Sequence, residues 1–215
     1  MPKPVIRLFV LCVFACAPLS AGFSSTDLFL PAVGRIEGAG GSQFYTTLFL
    51  TNPSSDSAAD VRLEFLLTGQ ENRAPAAFEV TLAPRSSRIF DNVSEEVFGL
   101  RGLLGGLRIR STAPVLASAR VYSQLAGQSA AASEGLFFSA VPAELAIRKG
   151  ESAVLQGLRQ SPDFRYNIFL VESTGAPVTL SLDVRDAAGV EVASTPVTLS
   201  AWEQRIVPLS AITTM

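Results

Sequence analysis

The sequence contains no histidine, and its only two cysteines, Cys12 and Cys16, fall within the first sixteen residues. The first absence removes the commonest general base and the commonest metal ligand together. The second leaves everything after residue 16 without a disulfide, a thiolate metal site or a cysteine nucleophile. Lysine is nearly absent too: Lys3 aside, it occurs only as Lys149. No basic tract exists to follow a phosphate backbone or an anionic bilayer, so no nucleic acid partner and no electrostatic docking on lipid are expected. There is one tryptophan, Trp202, and there are three tyrosines, so aromatic platforms for stacking a sugar are scarce.

What the chain has in quantity is apolar residues, 48% of its 215 positions, ample for packed cores. Part of this belongs to the start. "MPKPVIR" supplies Lys3 and Arg7, "LFVLCVFACAPL" is an uncharged apolar run too short to span a bilayer comfortably, and "SAG" offers small residues to a signal peptidase. Residues 1–21 read as a secretory signal peptide cut after Ala21. Acylation at Cys16 is the alternative, but Phe14 two positions before it fits such a signal poorly. The mature chain is then free of thiols and net acidic, with no membrane span after cleavage, and its expected place is secreted, periplasmic or on the cell surface.

From residue 28 onward the dominant pattern is alternation at period two, as in half-buried strands. In "ADVRLEFLL", Val61, Leu63, Phe65 and Leu67 point one way while Arg62 and Glu64 point the other. "AAFEVTL" puts Phe78, Val80 and Leu82 inward, "GLRIRS" puts Leu107 and Ile109 inward, and "LASARVY" does so with Ala117, Ala119 and Val121. Turn chemistry in "NPSSDS", "TGQENRAP", "APRSS", "GLLGG" and "STAP" is expected to separate the runs. One stretch reads as helical: "DNVSEEVFG", with Ser94 as N-cap, Glu95 and Glu96 in the first turn and Gly99 as the stop.

The chain also matches itself. "QFYTTLFLTNPSSDSAADVRLEF" overlays "DFRYNIFLVESTGAPVTLSLDV" with one deletion in the turn, so that Phe49 meets Phe169 and Leu63 meets Leu182. "EVTLAPRSSRIF" falls on "PVTLSAWEQRIV" without a gap, and the leading "FLPAVGRIEG" corresponds to "AVLQGLRQSP". The expected organisation is all-β: two tandem immunoglobulin-like β-sandwich modules, residues 27–140 and 141–215, after the signal peptide. The second is expected to be incomplete, with no counterpart of "GLRIRSTAPVLASARVYSQ" or "EGLFFSA". An unfinished sheet leaves an edge open: the favoured reading is a fragment of a longer repeat array, and otherwise the edge is completed by the first module, by another copy of the chain or by a partner strand.

An apolar strand, "LTNPSS", "VTLAPRSSRIFDNV", a Gly-rich turn and "GLRIRSTAPVLASARVYS" together resemble the immunoglobulin-like repeats of secreted proteins in acidobacteria and related soil bacteria. The resemblance covers about the whole mature chain. It implies an extracellular or surface module, usually strung in arrays and of unassigned function, and it carries no catalytic motif.

Each candidate site competes with a plainer role. Lys149, in "RKGES", is the sole lysine that a serine could recruit as a base, and no serine occurs in a GxSxG setting. Asp91, Glu95 and Glu96, or Asp183 and Asp186, are carboxylate groups for a glycosidase or, in "DNVSEE", oxygen ligands for calcium; near a helix start or a strand end they are ordinary solvated residues. The glycines of "GRIEGAGG" precede a strand and not a helix, so they lack the geometry of a phosphate cradle, and they mark a loop end where recognition surfaces gather. Arg62, Arg108, Arg110 and Arg120 make either a face for an acidic glycan or a soluble exterior with cross-strand ion pairs. Trp202 is either a contact between modules or the ligand-facing ring. No catalytic residue, cofactor or metal is assigned. The expected function is a non-enzymatic structural or adhesive module, with protein or glycan at the cell surface as partner; the alternative is a carbohydrate-binding module attached, formerly or elsewhere, to a hydrolase.

Overall fold

The computed structural model describes residues 23–213 apart from 126, 160, 162 and 163, so the expected leader and its cut after Ala21 lie outside the described residues. Strands β1 (Ser24–Glu37), β2 (Ser42–Thr51), β3 (Ala59–Leu67), β4 (Ala76–Leu82) and β5 (Ser87–Phe90) lead to a short helix, α1 (Val93–Phe98). There follow β6 (Leu103–Leu125), β7 (Glu134–Ser139) and β8 (Val141–Pro142), then β9 (Asn167–Val171), β10 (Val178–Arg185), β11 (Glu191–Leu199) and β12 (Gln204–Pro208). The protein is all-β, and its strand ladders are antiparallel. No helix among the described residues is long and apolar enough to cross a membrane.

β6 organises the first unit. Its first half lies between β3 and β1, with Leu63 opposite Ile109 and Leu28 opposite the same residue on the other side. Its second half lies between β2 and β7, with Leu48 and Phe138 both opposite Ala119. One strand thus serves two sheet halves that fold over a common core. The alternation places that core as the sequence implies: Leu63, Leu107 and Ile109 are fully buried, and Phe78 and Val80 pack against them from β4. Burying such side chains contributes about 1.5–3 kcal/mol each.

Two expected breakers fall largely inside a strand. "STAP" and the last four residues of "GLLGG" run within β6, while Gly102 bends the chain just before it at φ 68°. Gly105 and Gly106 answer to close approach and not to a turn: a Cβ on Gly105 would clash with the Leu66 carbonyl oxygen, and one on Gly106 would press on the Gln204 side chain at 3.3 Å. Pro114 sits where β6 changes neighbours, between Ser111, the last residue paired with β3, and Val115, which faces Ser25. A residue without an N–H is tolerated there because the ladder has no bond for it to donate.

α1 also corrects the reading. Its N-cap is Asn92, and Ser94 lies buried in the first turn with its hydroxyl unpartnered. Gly99 does end the helix, at φ 66°, with its N–H on the Glu95 carbonyl at 2.9 Å. β8 pairs with β1 through Val141 and Pro142, so the pairings of the first unit run past the expected divide at 140/141.

In the second unit β9 pairs with β12, and β10 with β11. Phe49 faces Ile89 and Phe169 faces Ile206; Ala59 faces Leu82 and Val178 faces Leu199. These registers coincide under the sequence alignment. Arg85 and Trp202, aligned in the turn, have φ of 53° and 56°, a conformation uncommon outside glycine. The expected leading strand, "AVLQGLRQSP", is not seen over its described residues 153–159, which carry no regular structure; residues 160 and 162 lie outside the described residues. Its counterpart β1 takes most of its hydrogen bonds from β6, and no counterpart of β6 lies beside this segment among the described residues.

Candidate functional site

The residues with the most unusual surroundings gather where the two units meet. Turn 200–203, between β11 and β12, sits against β1, the first half of β6 and the loop that follows β3. The Gly69 N–H donates to the Gln204 carbonyl at 2.8 Å, and the Asn72 N–H to the Ala201 carbonyl at 3.1 Å. The Asn72 amide Nδ2 reaches the Trp202 carbonyl at 3.0 Å. Gln204, fully buried, donates through Nε2 to the Pro31 carbonyl at 3.0 Å and accepts from the Thr68 hydroxyl. A parallel bridge between Thr68 and Gln204 completes the seam.

Trp202 lies in this joint. Arg108 stacks its guanidinium over the indole, 3.9 Å from the ring centre, and the Phe29 ring lies nearly parallel at 6.4 Å between centroids. Asp27 holds Arg108 in place with two bonds of 2.9 and 2.7 Å. Gly175 fits against the indole so closely that a Cβ there would come within 2.6 Å of it. Trp202 is half-buried, with neighbours on it from both units.

A buried carboxylate holds the turn. Glu172, at the end of β9, accepts at Oε1 from the Thr174 N–H at 2.6 Å and the Thr174 hydroxyl at 2.5 Å, and at Oε2 from the N–H groups of Gly175 at 2.8 Å and Trp202 at 2.9 Å. Burial pushes its carboxyl pKa up, but the Thr174 hydroxyl and the N–H groups of Trp202, Thr174 and Gly175 together outweigh burial and hold it below the ordinary value. Asn52 stands at the aligned position in the first unit. It is buried, its Nδ2 donates to the carbonyls of Ser57, Leu82 and Ala83, and its Oδ1 accepts from the Ser54 N–H. The backbone bonds correspond as well, Asn52 N–H to Ser86 and Glu172 N–H to Glu203. Sequence reasoning missed Glu172, Asn72 and Gln204; the alignment of "TNPSS" with "VESTG" was the available signal for the first.

The other candidates are dispersed. Glu95 is held by Arg35, Arg101 and the Asn92 amide, while Glu96 and Asp91 are exposed. Glu95→Gln is expected to cost about 1 kcal/mol in urea unfolding, less at high salt, because the pairs are only partly shielded from water. Asp183 accepts from the hydroxyls of Ser181 and Ser194, each at 2.6 Å, which hold its carboxyl below the ordinary value; Asp186 caps its own turn through the Ala188 and Val190 N–H groups. Lys149 is exposed in a turn. No group of three or more acidic side chains gathers as a metal would need among the described residues.

The four arginines do not form one face. Arg62, Arg108 and Arg110 surround the buried carboxylate of Glu64, whereas Arg120 lies on the other half of β6 and bonds Ser133. That outer face is therefore not wet throughout: Phe29, Leu66 and Glu64 are buried on it. The glycine-rich loop leads into β2 as expected, and beside it a hollow of about 520 Å³ is lined by Gly38, Gly41, Gln43, Tyr45 and Gln124.

These features define an antiparallel all-β protein with a turn from one unit seated on a sheet of the other. No protein-family model matches the chain, and no curated protein matches it. Among solved structures, a chain described as the crystal structure of Thermotoga maritima 1070 is 17% identical, with a TM-score of 0.43, over 57% of this chain and 96% of that one. A likeness of that degree carries no argument.

Proposed function

We propose that the protein is a secreted, non-enzymatic structural or adhesive module built as two tandem immunoglobulin-like β-sandwich units, of the kind the acidobacterial repeats represent. The observation that carries this reading is the use of the same registers, the same positive-φ turn position and an equivalent buried polar residue, Asn52 and Glu172, in both halves. Among the buried polar side chains, Asn52 and Glu172 hold turns, and Asn72 and Gln204 hold the joint. Trp202, with Arg108 over it and Gly175 against it, serves the reading in which the indole joins the units.

Expression of the full chain in a bacterium with an export pathway tests the address. The recovered protein is expected outside the cytoplasm with Gly22 as its first residue; a cytoplasmic chain still beginning at Met1 overturns it. A glycan array tests the role. The expected result is no sugar signal, and a signal abolished by Trp202→Ala but retained by Glu95→Gln would transfer the protein to carbohydrate-binding modules.

A further inference from the structure

In the first unit one strand closes both halves of the core. β2 has β5 on one edge and the second half of β6 on the other, and β3 has β4 on one edge and the first half of β6 on the other. β9 and β10 occupy the places of β2 and β3 by register, yet each pairs with a single strand among the described residues. The edges that β6 covers in the first unit are the ones left over in the second.

The segment aligned with β1 records the same vacancy. Leu30 is fully buried in β1 against β6, whereas its counterpart Val154 is 79% exposed, and Leu155 beside it is 57% exposed. Side chains of this kind are hidden when the strand beside them is present.

Charge identifies what fits. β6 carries two arginines two residues apart: Arg108 pairs with Asp27 of β1 and Arg110 with Glu64 of β3. The alignment puts Glu151 where Asp27 stands and Asp183 where Glu64 stands. Acidic groups are thus repeated at both positions that meet arginine in the filled unit. Asp183 is exposed on β10 and bonds serine hydroxyls in place of guanidinium groups.

We propose that the second unit is a strand acceptor, completed by an extended segment of a separate partner polypeptide lying along the path β6 takes in the first unit, antiparallel to β9 and β10. This rests on the reading of the two units as copies. The partner segment carries small and aliphatic residues at alternate positions and an Arg-x-Arg pair in its first half. Main-chain hydrogen bonds to two open edges supply affinity, and the alternate side chains and the two arginines supply register.

The probe is a labelled peptide with the sequence of residues 103–125, titrated onto the full chain. Saturable one-to-one binding is expected, with slowed amide exchange in residues 151–159, β9 and β10. A peptide with Arg108→Glu and Arg110→Glu is expected to bind at least tenfold more weakly to the native chain. It is expected to regain affinity for the Asp183→Lys chain, a reciprocal swap at an exposed position that spares the core. Absence of binding, protection confined to the first unit, indifference to the charge swap, or edge-to-edge self-association that the peptide does not compete away would each overturn the proposal. Exchange in the second unit is read independently of the glycan array and of the export assay, so failure here leaves those results standing and theirs leaves this one.

Discussion

Replacing Glu172 with alanine is expected to lower the stability of the second unit by about 3 kcal/mol, because a carboxylate with several charge-assisted bonds is lost and the N–H groups it satisfied are stranded. Those donors belong to Thr174, Gly175 and Trp202, so the loss spreads from the end of β9 to the turn between β11 and β12. Glu172→Gln should be nearly as damaging. A carboxamide has one acceptor oxygen, so its NH₂ must face an N–H that the second carboxylate oxygen now accepts. Urea unfolding followed by the fluorescence of Trp202, the sole tryptophan, reads both variants; a shift within experimental error for Glu172→Gln would show that the second oxygen is not needed.

The same residue sets an acid limb. Its folded pKa is depressed below 4.5, because the hydrogen bonds it accepts outweigh the opposing effect of burial. A depressed carboxyl contributes stability that is present above the unfolded pKa and is lost as pH falls through the folded value. Stability of the native chain should therefore drop on acidification below about pH 4.5, more steeply than in Glu172→Gln, where the titrating group is gone.

The second large effect is expected from Trp202→Ala. Deleting a buried tryptophan costs about 3–5 kcal/mol, and for this half-buried ring about 2–3 kcal/mol is expected. The loss falls on the joint: Arg108 loses the ring beneath its guanidinium, and Phe29 and Gly175 lose the surface they pack on. Calorimetry is expected to resolve two unfolding steps in the variant, the first unit retaining its own core. Gly175→Ala approaches the joint from the other side, with a Cβ 2.6 Å from the indole and φ at +79°, and should weaken it in the same direction. A single transition at the native temperature for both variants would mean that the units are not coupled through this ring.

Strand faces were legible because alternation is local: which side of "ADVRLEFLL" is core follows from period two alone, and Val61, Leu63 and Phe65 lie where that pattern puts them. The last two glycines of "GLLGG" and the proline of "STAP" misled because glycine and proline are ambiguous signs. Here they report the approach of Leu66 and Gln204 and a change of neighbours, both set by residues distant in sequence. Residues 151–159 show the converse: a strand-like pattern without a strand, since half of a ladder cannot form alone.

By itself, then, the sequence determined that this is a histidine-free β protein with no cysteine after residue 16, and which face of strands such as β3 and β4 packs on the core, since those properties arise within a few residues. Only the tertiary structure decided that one strand serves two sheet halves, that Trp202 meets Arg108, and that Glu172 becomes a buried hub of hydrogen bonds. Edges and buried polar groups are satisfied by whatever the fold brings to them, and that choice is made by the whole chain at once.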